Sequence, residues 1–220
     1  MSTPFLCYNT YMEKQIDVNK PKRRLTKKGE ETRSRIVKAA AELMFEQGVA
    51  CTTVEEVQKK AQVSASQLYH YFKEKRSLVQ AVIIYQTEQV LSTQKSWVIQ
   101  LDSMEALRTW RDAIVQLQNS RQYRGGCPIG SLASELSDVE PEARYELAAA
   151  FMNWEHYIRK GLRTMQERGE LSSDANPDEL ALALLTALQG GLLLTQVRKE
   201  SLPLEVGLDS MLEHISSFII

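Results

Sequence analysis

The 220-residue sequence predicts an all-α protein of nine or ten helices, and three observations carry that reading. Apolar residues recur at steps of three and four in nearly every segment after the first two dozen residues, the signature of amphipathic helices. Four of the six prolines, Pro128, Pro141, Pro177 and Pro203, stand where such a segment begins. Proline is tolerated there because its missing N–H has no partner in the first helical turn. No segment shows the period-two alternation of a strand.

At the start of the chain, residues 1–25 lack apolar periodicity and are expected to form a flexible basic tail, densest in charge from Lys20 to Lys28. Ile36, Ala40, Leu43 and Met44 then recur at helical spacing, with Gly48 as a stop signal. A long helix is expected over about 75–100, with Leu78, Val82, Tyr85 and Gln89 on one stripe and Val79, Ile83 and Val90 beside it. Another spans about 103–122. After Pro141 the stripe is Leu147, Phe151, Trp154, Ile158, Leu162 and Met165, closing at Gly169. Asn176 reads as the N-cap of the next helix, with Glu179 at the third position as in a capping box. That helix is apolar on more than one face, so it must be buried on several sides. Its Gly190-Gly191 pair permits either a close helix approach or a local kink. After Pro203 the stripe runs Leu204, Leu208, Met211, Leu212, Ile215, Phe218 and Ile219.

Apolar content of 43% and charged content of 25% are those of a soluble globular chain, which excludes disordered and collagen-like classes. Three cysteines without a C-x-x-C pair suit a reducing cytosol and support neither a disulfide framework nor a zinc site. The start has no charged region followed by an apolar core, so no signal peptide is expected. The stretch Leu180–Leu194 is too short to span a bilayer. The protein is therefore expected in the cytoplasm, off the membrane. A net charge of −1 hides an asymmetry: residues 1–80 hold 15 Lys/Arg against 9 Asp/Glu, and residues 81–220 hold 12 against 19. A basic segment joined to an acidic one points to a nucleic-acid-binding part attached to something else.

Thr52 to Phe72 reads as two short helices joined by a tight turn. Thr52 or Thr53 caps the first, which buries Val54, Val57 and Ala61. Ser64 caps the second, with Gln67 reaching back as in a capping box, and Val63 with Leu68 makes the hydrophobic staple. A helix of about two turns does not hold alone, so it must be packed on its neighbours, as a recognition helix is on a three-helix unit. Leu68 and Phe72 are expected to face inward. Ala65, Ser66, Gln67, Tyr69 and His70 then face outward, small and polar enough for a major groove, where Ala meets thymine methyls and Ser and Gln meet base edges. Thr52, Thr53, Tyr71 and Lys75 are the expected phosphate contacts, helped by the free N–H groups of both helix N-termini.

These residues carry a family resemblance. Ile36-x-x-Ala39-Ala40-x-x-Leu43, Phe45-x-x-Gly48, Thr52-Thr53-Val54-x-x-Val57, Ala61-x-Val63-Ser64 and Leu68-Tyr69-x-Tyr71-Phe72-x-x-Lys75 resemble the N-terminal domain of the TetR family of bacterial transcriptional regulators. Three positions depart from it: Gln62 stands where the family usually has the turn glycine, Gln58 replaces a small alanine, and Ser66-Gln67 stands where Gly-Thr is common. If position 62 requires positive φ, Gln there costs roughly 1 kcal/mol.

The resemblance implies three parts: a basic tail (1–25), a helix-turn-helix DNA-binding domain (26–75) and a larger helical effector-binding and dimerisation domain (76–220). It also implies a homodimer, joined by the helices of about 141–168 and 177–199, on a palindromic double-stranded DNA operator. Trp97, Trp110, Tyr123, Cys127, Phe151 and Trp154 lie in segments that usually line an effector pocket. Taken singly, each of these residues reads first as core, Trp154 above all because it shares a stripe with Leu147 and Ile158. Cys127, near a helix N-terminus, is a candidate for a lowered thiol pKa. The leading expectation is a repressor released by an apolar or aromatic small molecule. The alternative is a DNA-binding protein of chromosome organisation or division that works through protein partners. His70, His156 and His214 are isolated, and no phosphate-binding loop or catalytic constellation is visible. No metal, no cofactor and no enzymatic activity are expected.

Overall fold

The structure, a computed structural model, describes residues 25–98 and 101–220, with the backbone alone at 91 and 93–98. The expected basic tail lies almost wholly outside the described residues. Among the described residues there are nine helices and no strand: α1 (Lys27–Gln47), α2 (Val54–Ala61), α3 (Ala65–Tyr71), α4 (Lys75–Val98), α5 (Met104–Ser120), α6 (Pro128–Leu136), α7 (Pro141–Glu167), α8 (Pro177–Arg198) and α9 (Leu202–Ser216). The chain is all-α, as its periodicity predicts. Residues 25–34 belong to a unit of their own, in which Thr26 Oγ1 accepts from the Gly29 N–H and Thr32 Oγ1 donates to the Lys28 carbonyl. Residues 35–220 form the second unit, which holds the core and both candidate sites.

The expected stripes are the core. Leu147, Trp154, Ile158, Leu162 and Met165 of α7 are buried together with Leu107, Trp110 and Ile114 of α5 and Leu184, Leu188 and Leu192 of α8. The helix starts are as the prolines foretell: Pro128, Pro141 and Pro177 are first residues, and Pro203 is the second residue of α9. Ser103 caps α5, accepting from the Ala106 N–H at 3.1 Å.

Three details differ from expectation. Asn176 does cap α8, but it accepts from the Asp178 N–H; Asp178 in turn pairs with Arg159 and Arg163 of α7 at 3.1 and 2.8 Å. The stripe after Pro203 leaves the helix at Ser216. There the chain turns to meet the segment after α7, with the Ser172 N–H donating to the Phe218 carbonyl at 2.8 Å and a single antiparallel bridge between Leu171 and Ile219. Finally, α8 extends beyond its apolar middle to 22 residues, long and apolar enough to cross a bilayer. Its inner side is committed instead to α7 and α9, with Leu180, Leu184, Leu188 and Leu192 buried.

The glycine pair in α8 divides its roles. A Cβ on Gly191 would sit 2.9 Å from the Leu204 Cα, so glycine is what lets α9 pack backbone-to-backbone on α8. Thr195, one turn on, is fully buried and accepts the Leu204 N–H at 3.3 Å. Gly190 faces open space.

The α2–α3 turn takes the left-handed conformation that the unusual residue there makes costly. Gln62 has φ 53° and ψ 50°. Its N–H donates to the Lys59 carbonyl at 3.3 Å and the Val63 N–H to the Gln58 carbonyl at 3.1 Å, a Schellman closure. A side chain in that well is strained by roughly 1 kcal/mol, and Gln62 is exposed, so no packing offsets it. Replacing Gln62 with Gly should raise stability by about 0.5–1 kcal/mol, a few degrees in Tm. Replacing it with Val should lower it. Thermal melts followed by circular dichroism will show the two opposite shifts.

Candidate DNA-reading face and effector cavity

The second helix of the pair is built to show one face and bury the other. Ser64 caps α3 and takes the Gln67 N–H at 3.2 Å, while Gln67 Oε1 accepts the Ser64 N–H at 2.9 Å. Leu68 and Phe72 are buried, and Val63 packs on the same core. Ser64, Ala65, Ser66, Gln67, Tyr69 and His70 are exposed. Tyr71 is half-buried, its ring edge-on to His70 at 5.0 Å. Gln67 therefore has its carbonyl oxygen engaged in the cap and only its amide N–H groups free to reach outward.

Three residues expected at phosphates have intramolecular partners here. Thr52 is buried, and its hydroxyl donates to the Gly48 carbonyl at 2.7 Å, so it closes the turn after α1 and does not face solvent. Thr53 is exposed and is the true cap of α2, but that N-terminus already holds a carboxylate. Glu56 accepts the Thr53 N–H at 2.8 Å and the Thr53 hydroxyl at 2.9 Å, bonds that hold its pKa below the usual carboxylate range. A phosphate there would meet a like charge. Lys75 is half-buried, with Nζ donating to the Val49 carbonyl at 2.6 Å, which fastens the start of α4 to the turn after α1.

In the larger part, a cavity of about 180 Å³ lies among α4, α5, α6, α7 and α8. It brings Cys127 and Trp154 together. Trp110 is fully buried away from it as core. Phe151 lines a neighbouring surface groove beside α6 and α8 that shares Cys127 and Leu192 with the cavity. Tyr123 sits in the α5–α6 loop with φ 58°, its carbonyl accepting from Lys199 Nζ at 3.2 Å. The Trp97 side chain lies outside the described residues. Among the described residues no cluster of His, Cys, Asp or Glu is placed to hold a metal ion.

Two cavity residues escaped the sequence reading although a signal for them exists. Gln118 and Arg121 continue the inward stripe Leu107, Trp110, Ile114 at the same steps of three and four. Polar residues on an apolar stripe mark a polar spot in the core. Gln118 is buried with no partner for Oε1, and Trp154 Nε1 is likewise buried and unpartnered.

Cys127 caps α6, receiving the Gly130 N–H at 3.4 Å. The expected lowering of its pKa does not occur. Burial pushes the thiol up and outweighs the N–H groups of Gly130 and Ile129, Gln189 and the Arg121 charge. A thiolate is the reactive form, so Cys127 stays neutral until the pH passes its raised pKa. At pH 8 Cys127 should react with iodoacetamide far more slowly than exposed Cys51; comparable labelling of the two, read by peptide mass spectrometry, would contradict this.

One short helix runs from the cavity to the turn between α1 and α2. The N-cap of α6, Cys127, and its first residue, Pro128, line the cavity. At its other end the Glu135 carboxylate accepts the Val49 N–H at 2.8 Å and the Ala50 N–H at 3.4 Å, in the turn between α1 and α2. Just ahead of α6, Gly125 at φ +85° lies beneath the Phe45 ring of α1, where a Cβ would clash at 2.1 Å.

A two-helix reading unit on a buried seat, carried by a larger helical body, defines a helix-turn-helix DNA-binding regulator. Comparison with known proteins gives the family. Residues 36–82 match the family model described as bacterial regulatory proteins of the tetR family, and residues 103–211 match a tetracyclin repressor-like C-terminal domain. The chain belongs to the TetR family and is a transcriptional regulator, not an enzyme.

Among its relatives, the transcriptional regulator AcuR of Cereibacter sphaeroides is 27% identical over 171 residues, 77% of this chain and 78% of AcuR. The HTH-type transcriptional repressor DhaR of Mycobacterium sp. (strain GP1) is 25% identical over 79% of this chain and 86% of its own. A TetR transcriptional regulator of Chloroflexus aurantiacus superposes with a TM-score of 0.73 at 26% identity, covering 88% of this chain and 98% of that one.

Proposed function

We propose that the chain is a ligand-responsive repressor that binds a palindromic operator as a homodimer and is released when a small molecule enters the α4–α8 cavity. In this reading residues 26–75 are the DNA-binding head and residues 76–220 the effector and dimerisation body. The observation that carries it is α6, a rod of about 13 Å at 1.5 Å per residue, with one end in the cavity wall and the other clasping the turn beneath the reading unit. A hydrogen bond to a charged group is worth about 1.5–3 kcal/mol, so an occupant that shifts α6 moves the head or breaks the clasp. The effector must bind the DNA-incompetent state more tightly, because equal affinity for both states shifts nothing.

The dimer reading is supported by an apolar surface on α8. Leu182, Gly190, Leu193, Leu194 and Val197 are exposed along it, and Tyr145 and Met152 are exposed on α7 beside it. Two copies joined through α7 and α8 would form a four-helix seam and set two recognition helices at a fixed spacing, which is what a palindromic site requires.

Fluorescence anisotropy with the DNA upstream of the protein's own gene, against scrambled DNA, tests the proposal. The expected preference is about 10³ or more, with a steep salt dependence. The double variant Leu193→Glu/Val197→Glu should run as a monomer and lose about 100-fold in operator affinity, since the second half-site no longer gains from linkage. Equal affinity for both DNAs at every salt concentration would refute a specific repressor of that promoter.

Glu135 gives a second test. Glu135→Ala should weaken effector-free operator binding about tenfold and shrink the effector response in proportion, while Glu135→Gln, which keeps an acceptor, falls between. An unchanged response in Glu135→Ala would remove the clasp from the mechanism.

A further inference from the structure

The ligand-responsive reading leaves open what enters the cavity, and the inference here rests on that reading and narrows it. At about 180 Å³ the space is slightly larger than an apolar cavity of about 150 Å³ that takes benzene. One six-membered ring with small substituents suits that volume better than two fused rings. Val90, Ile114, Leu117, Pro128 and Leu192 supply apolar walls for such a ring.

The polar groups on those walls are few and unsatisfied in a particular way. Trp154 Nε1 can only donate and Gln118 Oε1 can only accept, and both are buried without a partner. Leaving either unmet is costly, and native interiors hold few such groups. A ligand hydroxyl has the matching chemistry for either atom, a hydrogen to give to Gln118 Oε1 and a lone pair to take the Trp154 N–H. No Asp or Glu lines the cavity. Its one charge is Arg121, exposed one turn beyond Gln118, and among the described residues no carboxylate pairs with that guanidinium. The positive end of α6 opens into the same space at Cys127 and Pro128. Burial keeps the Cys127 thiol neutral, so nothing in the lining repels an anion. Arginine presents a planar fork that suits a carboxylate.

We propose that this cavity binds a single-ring hydroxy-carboxylate, its anionic end toward Arg121 and its hydroxyl toward Gln118 and Trp154.

The test is calorimetric titration of the full chain with the three hydroxybenzoate isomers, benzoate, 4-hydroxybenzyl alcohol, toluene and 6-hydroxy-2-naphthoate. At least one hydroxybenzoate should bind about tenfold or more tightly than benzoate and than the neutral alcohol, and the naphthoate should be excluded. Arg121→Gln, at an exposed position that the fold does not use, should reduce the hydroxybenzoate to the level of the alcohol and leave the alcohol unchanged. Gln118→Leu should weaken the hydroxybenzoate and spare benzoate.

Equal or tighter binding of toluene or the alcohol, indifference to Arg121→Gln, or no binding of any hydroxybenzoate at millimolar concentration would overturn the inference. A cavity-filling variant, Leu117→Trp, separates that failure from failure of the underlying reading. If filling the space weakens operator binding, the switch stands and only the ligand class is wrong. Unchanged operator binding with the cavity filled removes the ligand switch itself.

Discussion

A helix of seven residues cannot keep its shape in water, because forming the first turn costs more than two turns return. The candidate reading face depends on removing that weakness without covering the outer side of α3. The structure does so from below and from the start of the helix. Leu68 and Phe72 are sunk in the core, and the reciprocal Ser64–Gln67 box satisfies two backbone donors at the N-terminus. The same economy limits what the face can say. Ser64 Oγ lies 3.0 Å from Ser66 Oγ, and Gln67 has its carbonyl engaged, so side chains that look like base readers are partly holding up the helix that carries them. Tyr69 and His70 stand clear of that work.

The magnitudes rank the contacts that tie the α1–α2 turn and the start of α4 to the helices beyond them. Arg76 pairs with Glu140 and Glu142 across the same junction at 3.1 and 3.4 Å, but these groups are substantially exposed, and such pairs are worth about 0–1 kcal/mol. Glu135 receives two backbone N–H groups of a tight turn, a charge-assisted contact of higher value. The Phe45 ring over Gly125 adds a steric contact with no slack. Among the contacts at this junction those of α6 are the stronger, and the ion pairs at its side are secondary.

Helix α8 shows how one apolar segment serves two ends. Its inner face builds the core with α7 and α9, and Gly191 lets α9 come within backbone contact. Its outer face leaves Leu193, Leu194 and Val197 bare. A helix apolar all round needs several partners; within one chain α8 finds them on one side only.

The sequence by itself determined the helical class, the proline-marked starts, the Ser64 cap of the second helix of the pair and the inward set Leu68 and Phe72, because these depend on residues within one or two turns of each other. It also flagged Gln62 as a costly residue if the turn is left-handed, and the turn is left-handed. Tertiary structure decided the rest. Thr52 and Thr53 are alike as letters, and only the packing of the α1–α2 turn sends one inward and leaves the other as a cap. Cys127 sits at a helix N-terminus that favours a thiolate, yet burial by distant helices outweighs that local dipole. Trp110 and Trp154 are both large residues on apolar stripes, and which of them borders a cavity depends on how five helices meet. Glu135 and the turn it clasps are 86 residues apart, and no local pattern encodes a contact made across that distance.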